Sequence, residues 1–329
     1  MTSKAQPDAV LLLTHSGDFY TIDLVSQALT RRGARAFRLN TDLFPTSVKL
    51  SSRAGDGRTA QLVTDAGARV SADEIRAVWA RKLWMPCLDE DLDERFREMC
   101  VRESVAALEG FLDALHGSRW VNDLQRERAA ENKQRQLRIA AGAGLHVPRT
   151  LVTNDPEAAR QFFAETEGQM VAKLLRPLTV SMNAAPLFVY TTRIREEDLD
   201  DAEGLRHSPM VFQELIPKAR ELRVAWVAGE AFAGALDASG TSRGQTDWRR
   251  AAPGECRWQK TELPAEVIRG LHALMSELGL VFGAVDLIYT PAGEHVFLEV
   301  NPGGEWGMLE RDLGLPISET IARALLSDE

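Results

Sequence analysis

The sequence predicts an α/β fold in which an N-terminal parallel sheet is followed by antiparallel sheets. Two observations carry this prediction. In the first third, short apolar runs such as residues 9–13 and 75–81 alternate with stretches of helical periodicity, which is typical of strands and helices around a buried parallel sheet. In the last third, strand-like runs follow one another across tight turns such as Ala228-Gly229, which indicates hairpins.

The N-terminal segment opens with the strand at residues 9–13. Ser16 then precedes a helical pattern in which Phe19, Ile22 and Leu29 recur on one face, so we expect the helix to start near Ser16. The remaining elements of this segment are two strands and a long amphipathic helix, at residues 34–39, 75–81 and 91–116.

The pattern of predicted strands and helices changes near residue 120 and again near residue 210, which predicts two further units. The middle segment has a helix at 131–143, a strand at 150–153, a helix opening at Asp155-Pro156, and strands at 170–175 and 187–191. The last segment has strands at 210–216, 221–228, 230–236, 281–289 and 295–300, and helices at 264–278 and after Pro316. We expect three units, at residues 1–119, 120–209 and 210–329.

The composition excludes several classes of protein. The chain has 329 residues, 44% of them hydrophobic, and a formal net charge of −9. No apolar run reaches the about 18 residues of a membrane-spanning helix, and the first run is too short for a signal peptide. A pI near 5.4 argues against a dedicated nucleic-acid binder, and three cysteines without a CxxC pair favour a reducing compartment. We therefore expect a cytoplasmic protein without a membrane or nucleic-acid partner.

Two acidic residues lie in otherwise apolar strands of the last hairpin. A turn centred on Ala292 places Asp286 nearly opposite Glu299, within one residue of register. Asn301 projects to the same face as Glu299, because side chains alternate along a strand. Facing carboxylates among apolar residues need a neutralising partner, and Mg²⁺ prefers oxygen ligands. The pattern predicts a magnesium site; the alternative, two carboxylates at a solvated edge, is disfavoured by the apolar flanks.

Three cations accompany these acids along the chain. Lys133 opens a helix, Lys173 lies in an apolar strand, and Arg223 lies in another strand. Each alone is typical of a surface residue with a buried stem. Together with a magnesium site they favour a nucleoside triphosphate as ligand, because Mg²⁺ usually binds with phosphates.

Two common motifs do not explain the chain. Residues 240–244 match GxSxG, but they lie in a polar stretch with no helical pattern directly after them, as a nucleophile elbow requires. The sequence has no GxGxxG after its first strand and no GxxxxGK[ST]. These absences argue against a dinucleotide-binding dehydrogenase and a P-loop NTPase.

At the acidic hairpin the sequence resembles the ATP-grasp superfamily, through GAVDLI at 283–288 and FLEVNP at 297–302. Within it, the chain looks like the ligases that form graspetides, which are peptides closed by side-chain esters or amides. Four weaker features support this subfamily, at residues 12–15, 78–81, 247–249 and 303–306. The resemblance implies an ATP-grasp fold, with an N-terminal parallel α/β (pre-ATP-grasp) domain and two α+β lobes that enclose ATP.

The resemblance also implies roles for individual residues. The implied Mg²⁺ ligands are Asp286, Glu299 and Asn301, and the implied phosphate-binding lysines are Lys133 and Lys173. The implied adenine and ribose contacts are Gln213, Glu214, Leu215, Ile216 and Glu221. The arginines implied near the transferring phosphate or acyl phosphate are Arg223 and Arg249.

The implied reaction is ATP-dependent ligation. The γ-phosphoryl group of ATP would pass to an Asp or Glu side chain of a ribosomal precursor peptide, and a Thr, Ser or Lys side chain would then close the ring. Residues 176–185 and 237–252 are expected to cover the site. Two alternatives remain: a RimK-like ligase that adds an amino acid to a carboxylate, and a non-catalytic protein that only binds a peptide.

Two partners follow from the same resemblance. One is a precursor peptide with leader and core segments. The other is a second copy of the chain, because graspetide ligases look like homodimers and the predicted helix at 91–116 carries apolar residues on more than one face.

Overall fold

The structure is a computed structural model that describes residues 8–55, 59–175, 191–236 and 257–327. The N-terminal unit contains, in chain order, β1 (Ala9–Thr14), α1 (Thr21–Arg31), β2 (Arg35–Asn40), β3 (Val48–Arg53), β4 (Thr59–Thr64), β5 (Arg69–Ser71), β6 (Ile75–Ala80), α2 (Glu94–Asp113) and β7 (Arg119–Val121). Strands β2, β1, β6 and β7 lie in that order and pair in parallel. The predicted parallel sheet is therefore confirmed.

The start of α1 differs from the sequence-based expectation. The helix begins at Thr21, not after Ser16, and Phe19 precedes it with 67% of its surface exposed. The reason is that the segment after β1 is hydrogen-bonded to the segment after β2. The Ser16 N–H and hydroxyl donate to the Asp42 carboxylate at 2.9 and 2.6 Å. These bonds hold the chain in a turn after β1 before the helix can form.

The N-terminal unit also contains a small sheet that the sequence did not predict. Strands β3, β4 and β5 pair in antiparallel order, with Leu62 and Val70 buried against the rest of the unit. The long helix α2 is shorter than predicted because Asp93 caps it, accepting from the Arg95 N–H at 3.0 Å.

The middle unit is an antiparallel sheet with helices. Its elements are α3 (Leu124–Ala130), α4 (Lys133–Gly142), β8 (Thr150–Thr153), α5 (Pro156–Glu165), β9 (Met170–Lys173), β10 (Thr192–Arg193) and β11 (Met210–Glu214). The strand order is β10, β9, β11, β8. The predicted strand at 187–191 lies almost wholly outside the described residues, and α3 was not predicted. Strand β11 pairs with both β8 and β9, so it belongs to this sheet.

The C-terminal unit carries a five-stranded antiparallel sheet. Its elements are β12 (Arg220–Val227), β13 (Glu230–Leu236), β14 (Trp258–Lys260), α6 (Ala265–Leu278), β15 (Phe282–Tyr289), β16 (His295–Asn301), α7 (Gly307–Leu313) and α8 (Ile317–Leu326). The strand order is β14, β13, β12, β15, β16. Ala228 and Gly229 have φ values of 47° and 92°, which is the backbone of the predicted tight hairpin turn.

A shared core joins the first and last units. Val10 and Trp79 of the parallel sheet lie in one buried apolar cluster with Trp306, Ile317 and Ile321. Burying each such side chain contributes about 1.5–3 kcal/mol. The carboxyl ends of β1 and β6 are thereby held beside the turn that follows β16.

The outer edge of β16 is closed by groups from the middle unit. Gln136 of α4 donates to the Val300 carbonyl at 2.8 Å and accepts from the Val300 N–H at 2.9 Å. The His146 carbonyl accepts from the Phe297 N–H at 2.8 Å. The last strand of the sheet is therefore hydrogen-bonded on both sides, which fixes its position relative to α4.

Among the described residues, none of the helices combines the length and the apolar character needed to cross a bilayer.

Candidate active site

The acidic side chains of the last hairpin converge as predicted. Asp286 of β15 faces Glu299 of β16, and the register shifts just beyond this pair. The Asn301 side-chain amide donates to Glu299 Oε1 at 3.1 Å and lies 3.4 Å from Asp286 Oδ2. Two carboxylates and one amide therefore share one face of the sheet, and the predicted register is confirmed.

Both carboxylates are paired with cations. Arg223 of β12 lies opposite Asp286 in the ladder, and its Nη1 is 2.6 and 2.8 Å from the two Asp286 oxygens. Lys133, the first residue of α4, forms an ion pair and hydrogen bond with Glu299. The Asn132 side chain caps α4 by accepting from the Arg135 N–H at 3.0 Å, so the helix presents Lys133 to the sheet.

These cations control the charge of Glu299. Burial raises the pKa of the carboxyl, but the charge and hydrogen bond of Lys133, the charge of Lys173 and the Asn301 amide together lower the pKa to about 2. Glu299 is therefore ionised throughout the neutral range and available to a cation.

Lys173 approaches the same face from the middle unit. Its Nζ donates to the Gln213 side-chain oxygen at 2.7 Å, and the Gln213 amide donates to the Thr150 hydroxyl at 3.0 Å. Gln213 is buried, so its amide fixes the end of the lysine. Lys133 of α4 and the charge of Lys173 of β9, both from the middle unit, thus act on one carboxylate of the C-terminal unit.

The segment expected to contact adenine runs along the end of β11. Glu214 pairs with Arg149 at 3.2 Å, and the Leu215 N–H donates to the Gln169 carbonyl at 2.9 Å. Ile216 follows β11 and is half-buried. Glu221, at the start of β12, forms an ion pair with Lys218. These residues lie on the connection between the sheets of the middle and C-terminal units.

Several sequence-based expectations fall outside the described residues. Arg249 is among them, as are the two segments expected to cover the site, 176–185 and 237–252, and the GxSxG match at 240–244.

Sequence reasoning gave no role to the turn after β16. Glu305 accepts two hydrogen bonds on its backbone carbonyl, from Arg223 Nε at 3.1 Å and Arg223 Nη2 at 2.9 Å. A Cβ on Gly304 would lie 2.4 Å from the Ala284 Cβ and 3.0 Å from the Asn301 Cβ. Residues 303–306 were noted only as a subfamily feature, and this close approach explains why the turn contains glycine.

A second carboxyl near the site, that of Glu127, has a raised pKa, whereas the pKa of Glu299 is lowered. Burial, reinforced by the charge of Glu131, raises the pKa of Glu127 to about 8, although the charge of Arg81 opposes this. Glu127 Oε2 is buried without a hydrogen-bond partner among the described residues. The folded chain therefore holds a proton on Glu127 that the unfolded chain loses near pH 4.5.

This proton gives a testable pH dependence. Because the folded pKa is raised, the contribution of Glu127 to stability is complete below about pH 4.5 and is lost as the pH rises towards 8. We expect Glu127→Gln to raise the unfolding temperature relative to the parent more at pH 9 than at pH 5, as measured by calorimetry. An equal effect at both pH values would contradict the assignment.

Comparison with known proteins identifies the family to which this fold belongs. The MvdD pre-ATP grasp domain matches residues 9–128. The macrocyclase MdnB from Microcystis aeruginosa MRC is 48% identical, with a TM-score of 0.83 over 98% of this chain and 100% of that chain. The macrocyclase MdnC from the same organism, solved with its precursor peptide MdnA, is 35% identical, with a TM-score of 0.87 over 97% and 100%.

A third structure extends the similarity. The RiPP-associated ATP-grasp ligase of Chryseobacterium gregarium, solved with ADP and a leader and core peptide, is 29% identical, with a TM-score of 0.88 over 97% of this chain and 96% of that chain. No curated protein gives a significant match.

These similarities identify an ATP-grasp ligase, which confirms the predicted fold class. The chain belongs to the family of graspetide macrocyclases, the macrocyclising ATP-grasp ligases that the sequence resembled.

Proposed function

We propose that the protein is an ADP-forming ligase that phosphorylates Asp or Glu side chains of a ribosomal precursor peptide and closes side-chain ester or amide rings. The observation that carries this is the meeting of Asp286, Glu299 and Asn301 with Lys133 and Arg223 on one sheet face. Similarity to macrocyclases over nearly the whole chain supports the peptide substrate.

The residues present fit magnesium bound together with ATP. Within the described ranges, no group of three or more His, Cys, Asp or Glu side chains could hold a metal alone. Asp286, Glu299 and Asn301 supply three oxygen donors, and Mg²⁺ commonly takes one or two carboxylates and completes its shell with phosphate and water. Bound Mg²⁺ would neutralise charge on the phosphates during transfer.

The side chains of this chain supply positioning and positive charge. Lys133 and Lys173 both belong to the middle unit and act on Glu299 of the C-terminal unit, so they are placed to hold phosphate oxygens between these two units. Arg223 lies beside Asp286 and is placed to stabilise charge on the transferring phosphoryl group. We assign Arg249 the same role, and we assign Gln213, Glu214, Leu215, Ile216 and Glu221 to the nucleotide base and ribose.

The proposed reaction has two steps, phosphoryl transfer and ring closure, and neither step changes an oxidation state. An oxygen of the substrate carboxylate attacks the γ-phosphorus, and ADP leaves. The hydroxyl of Thr or Ser, or the amine of Lys, then attacks the acyl carbon, loses its proton, and expels phosphate. Each ring forms with the net loss of one water.

A single reconstitution tests this function. Purified protein, precursor peptide, ATP and Mg²⁺ should yield peptide lighter by whole multiples of one water, with ADP and phosphate as by-products. Mass spectrometry and nucleotide chromatography measure both. AMP formation would overturn the acyl-phosphate route, and peptide heavier by one amino acid would identify a RimK-like ligase.

Lys173 provides a prediction for nucleotide binding. Lys173→Ala should weaken ATP binding by roughly tenfold or more, because a charged hydrogen bond of about 1.5–3 kcal/mol is lost, while the unfolding temperature changes little. Isothermal titration calorimetry measures the affinity. Lys260→Ala, at an exposed position of β14, is the matched control and should bind ATP as the parent does. Unchanged affinity in Lys173→Ala would make the lysine structural.

Assembly provides another prediction. We propose a homodimer that uses α2, because Leu108, Phe111 and Leu112 of this helix are buried while Phe96 and Met99 are 49% and 55% exposed. Light scattering at micromolar concentration should give twice the 36.4 kDa of one chain. A monomer mass would refute the proposal.

We further propose the division into units 1–119, 120–209 and 210–329, in which β11 (Met210–Glu214) opens the third unit along the chain although it pairs with β8 and β9 in the sheet of the second. A cytoplasmic location is proposed because the reaction consumes ATP, and the cysteines of the described chain, Cys87 and Cys100, are free.

A further inference from the structure

Arg81 is a buried charge at the end of the parallel sheet. It follows β6, and its side chain has no exposed surface. Its Nη2 donates to Glu305 Oε2 at 2.5 Å, and its Nη1 donates to the Gly303 carbonyl. Asp18 Oδ2 lies 4.0 Å from the Nε. A buried guanidinium is retained only where its partners compensate its desolvation, and two of these partners lie in the turn after β16.

The same turn is fixed against Arg81 by backbone contact. A Cβ on Gly303 would lie 2.8 Å from the Arg81 carbonyl oxygen, a distance that such atoms do not adopt. The parallel sheet and the turn therefore touch through their main chains, and Arg81 sets their separation.

Glu305 is held at both carboxylate oxygens. Oε1 accepts from the N–H groups of Trp306 and Gly307 at 3.1 and 3.0 Å, while Oε2 accepts from Arg81. Burial raises the pKa of Glu305, but the charge of Arg81 and these hydrogen bonds lower it below its ordinary value. The carboxylate stays charged at neutral pH, so the contact with Arg81 persists.

Glu305 also contacts Arg223, which lies on the sheet face that carries Asp286 and Glu299. The Glu305 carbonyl accepts from Nε and Nη2 of Arg223, which leaves Arg223 Nη1 for Asp286. The turn therefore fixes Nε and Nη2 of Arg223, while Nη1 faces Asp286, a proposed magnesium ligand. Moving Glu305 would rotate the guanidinium plane away from Asp286.

We propose that Arg81 is a positioning residue, which holds Glu305 so that the Glu305 carbonyl aims Arg223 at the phosphoryl-transfer site. Because the Arg81 side chain has no exposed surface, it is not placed to touch ATP or peptide itself. This inference rests on the proposed function, and it gives the N-terminal domain a part in the chemistry of the C-terminal sheet.

Arg76 offers a matched control on the same strand. Its Nη2 donates to the Leu326 carbonyl at 3.2 Å, so it also ties β6 to the C-terminal unit, but at α8. Arg81→Met and Arg76→Met each remove one arginine that bridges the two units. We expect Arg81→Met to lower kcat for peptide-dependent ADP formation by roughly 10–100-fold, and Arg76→Met to stay within about twofold.

A double variant tests the route of the effect. Arg223→Lys keeps the charge but cannot make both contacts to the Glu305 carbonyl. If Arg81 acts through Arg223, then Arg81→Met should reduce kcat in the Arg223→Lys background by less than about twofold. Full multiplication of the two losses would overturn the proposal. So would an Arg81→Met protein whose loss of activity matches its loss of folded material, because that is a purely structural role.

A binding measurement separates this inference from the proposed function. Calorimetry of ADP with and without Mg²⁺ gives the gain in affinity that Mg²⁺ provides. We expect Arg81→Met and Arg223→Lys to lose the same part of this gain, and Arg76→Met to keep it. If the parent protein closes no peptide ring, the proposed function fails while this comparison still reports on Arg81. An unchanged gain in Arg81→Met would refute the positioning role.

Discussion

We expect Glu299→Gln to lose nearly all peptide cyclisation while the chain still folds. The substitution keeps the shape of the side chain but removes the anion that Lys133 and Asn301 now contact. A metal ligand without its charge binds Mg²⁺ weakly and no longer offsets the phosphate charge in the transition state, so the expected loss in kcat is roughly 10²–10³-fold. Mass spectrometry of the peptide measures the product, and circular dichroism verifies folding.

The control lies in the same hairpin. Glu294 is 53% exposed in the turn between β15 and β16, so Glu294→Gln should cyclise the peptide at the parental rate. Turnover in Glu299→Gln close to that of this control would remove Glu299 from the metal site.

Acid unfolding gives a second readout for Glu299. Because its folded pKa is lowered to about 2, its contribution to stability is complete above its ordinary pKa of 4.5 and is lost as the pH falls towards 2. The stability difference between parent and Glu299→Gln should therefore shrink across that window.

Arg223→Met should lose both activity and stability. The Arg223 side chain is 11% exposed and faces Asp286, which is 27% exposed. Removing one member of a largely buried pair leaves an uncompensated carboxylate, at a cost of about 3–5 kcal/mol. The missing guanidinium also removes charge stabilisation from phosphoryl transfer, so we expect a fall in kcat of at least about 10²-fold. Urea unfolding and ADP formation measure the two effects.

A second substitution separates those effects. In Arg223→Met/Asp286→Asn the stranded charge is gone, so stability should recover while activity stays lost. Because Asp286 is also a proposed Mg²⁺ ligand, recovery of activity together with stability would remove both Arg223 and Asp286 from the proposed site.

The hairpin site was predictable because it is local. The turn near Ala292 and the alternation of strand side chains determine which face Asp286, Glu299 and Asn301 share. The partner of Glu299 was not predictable in the same way: Lys133 lies 166 positions away in sequence, and no local pattern sets how α4 packs on β16.

The contacts of Arg81 were even less predictable from local sequence patterns. Its contact with Glu305 spans 224 positions and depends on Gly303, which lets the main chain of the turn meet the main chain of Arg81. Sequence reasoning also placed the start of α1 at Ser16, since helical periodicity extends through Phe19. The Ser16–Asp42 hydrogen bonds, which link two connections after neighbouring strands, override that periodicity.

The hydrogen bonds of Gln136 to the outer edge of β16 affect the tendency of the protein to aggregate at high concentration. A bare strand at the margin of a sheet is a template onto which another chain can add, and this is a common route to aggregation. Here one side-chain amide occupies the Val300 N–H and carbonyl that such an intruder would need. Gln136 is therefore expected to favour solubility, because it shields the strand carrying Glu299 and Asn301 from pairing with another chain while the face of that strand stays open to ligands.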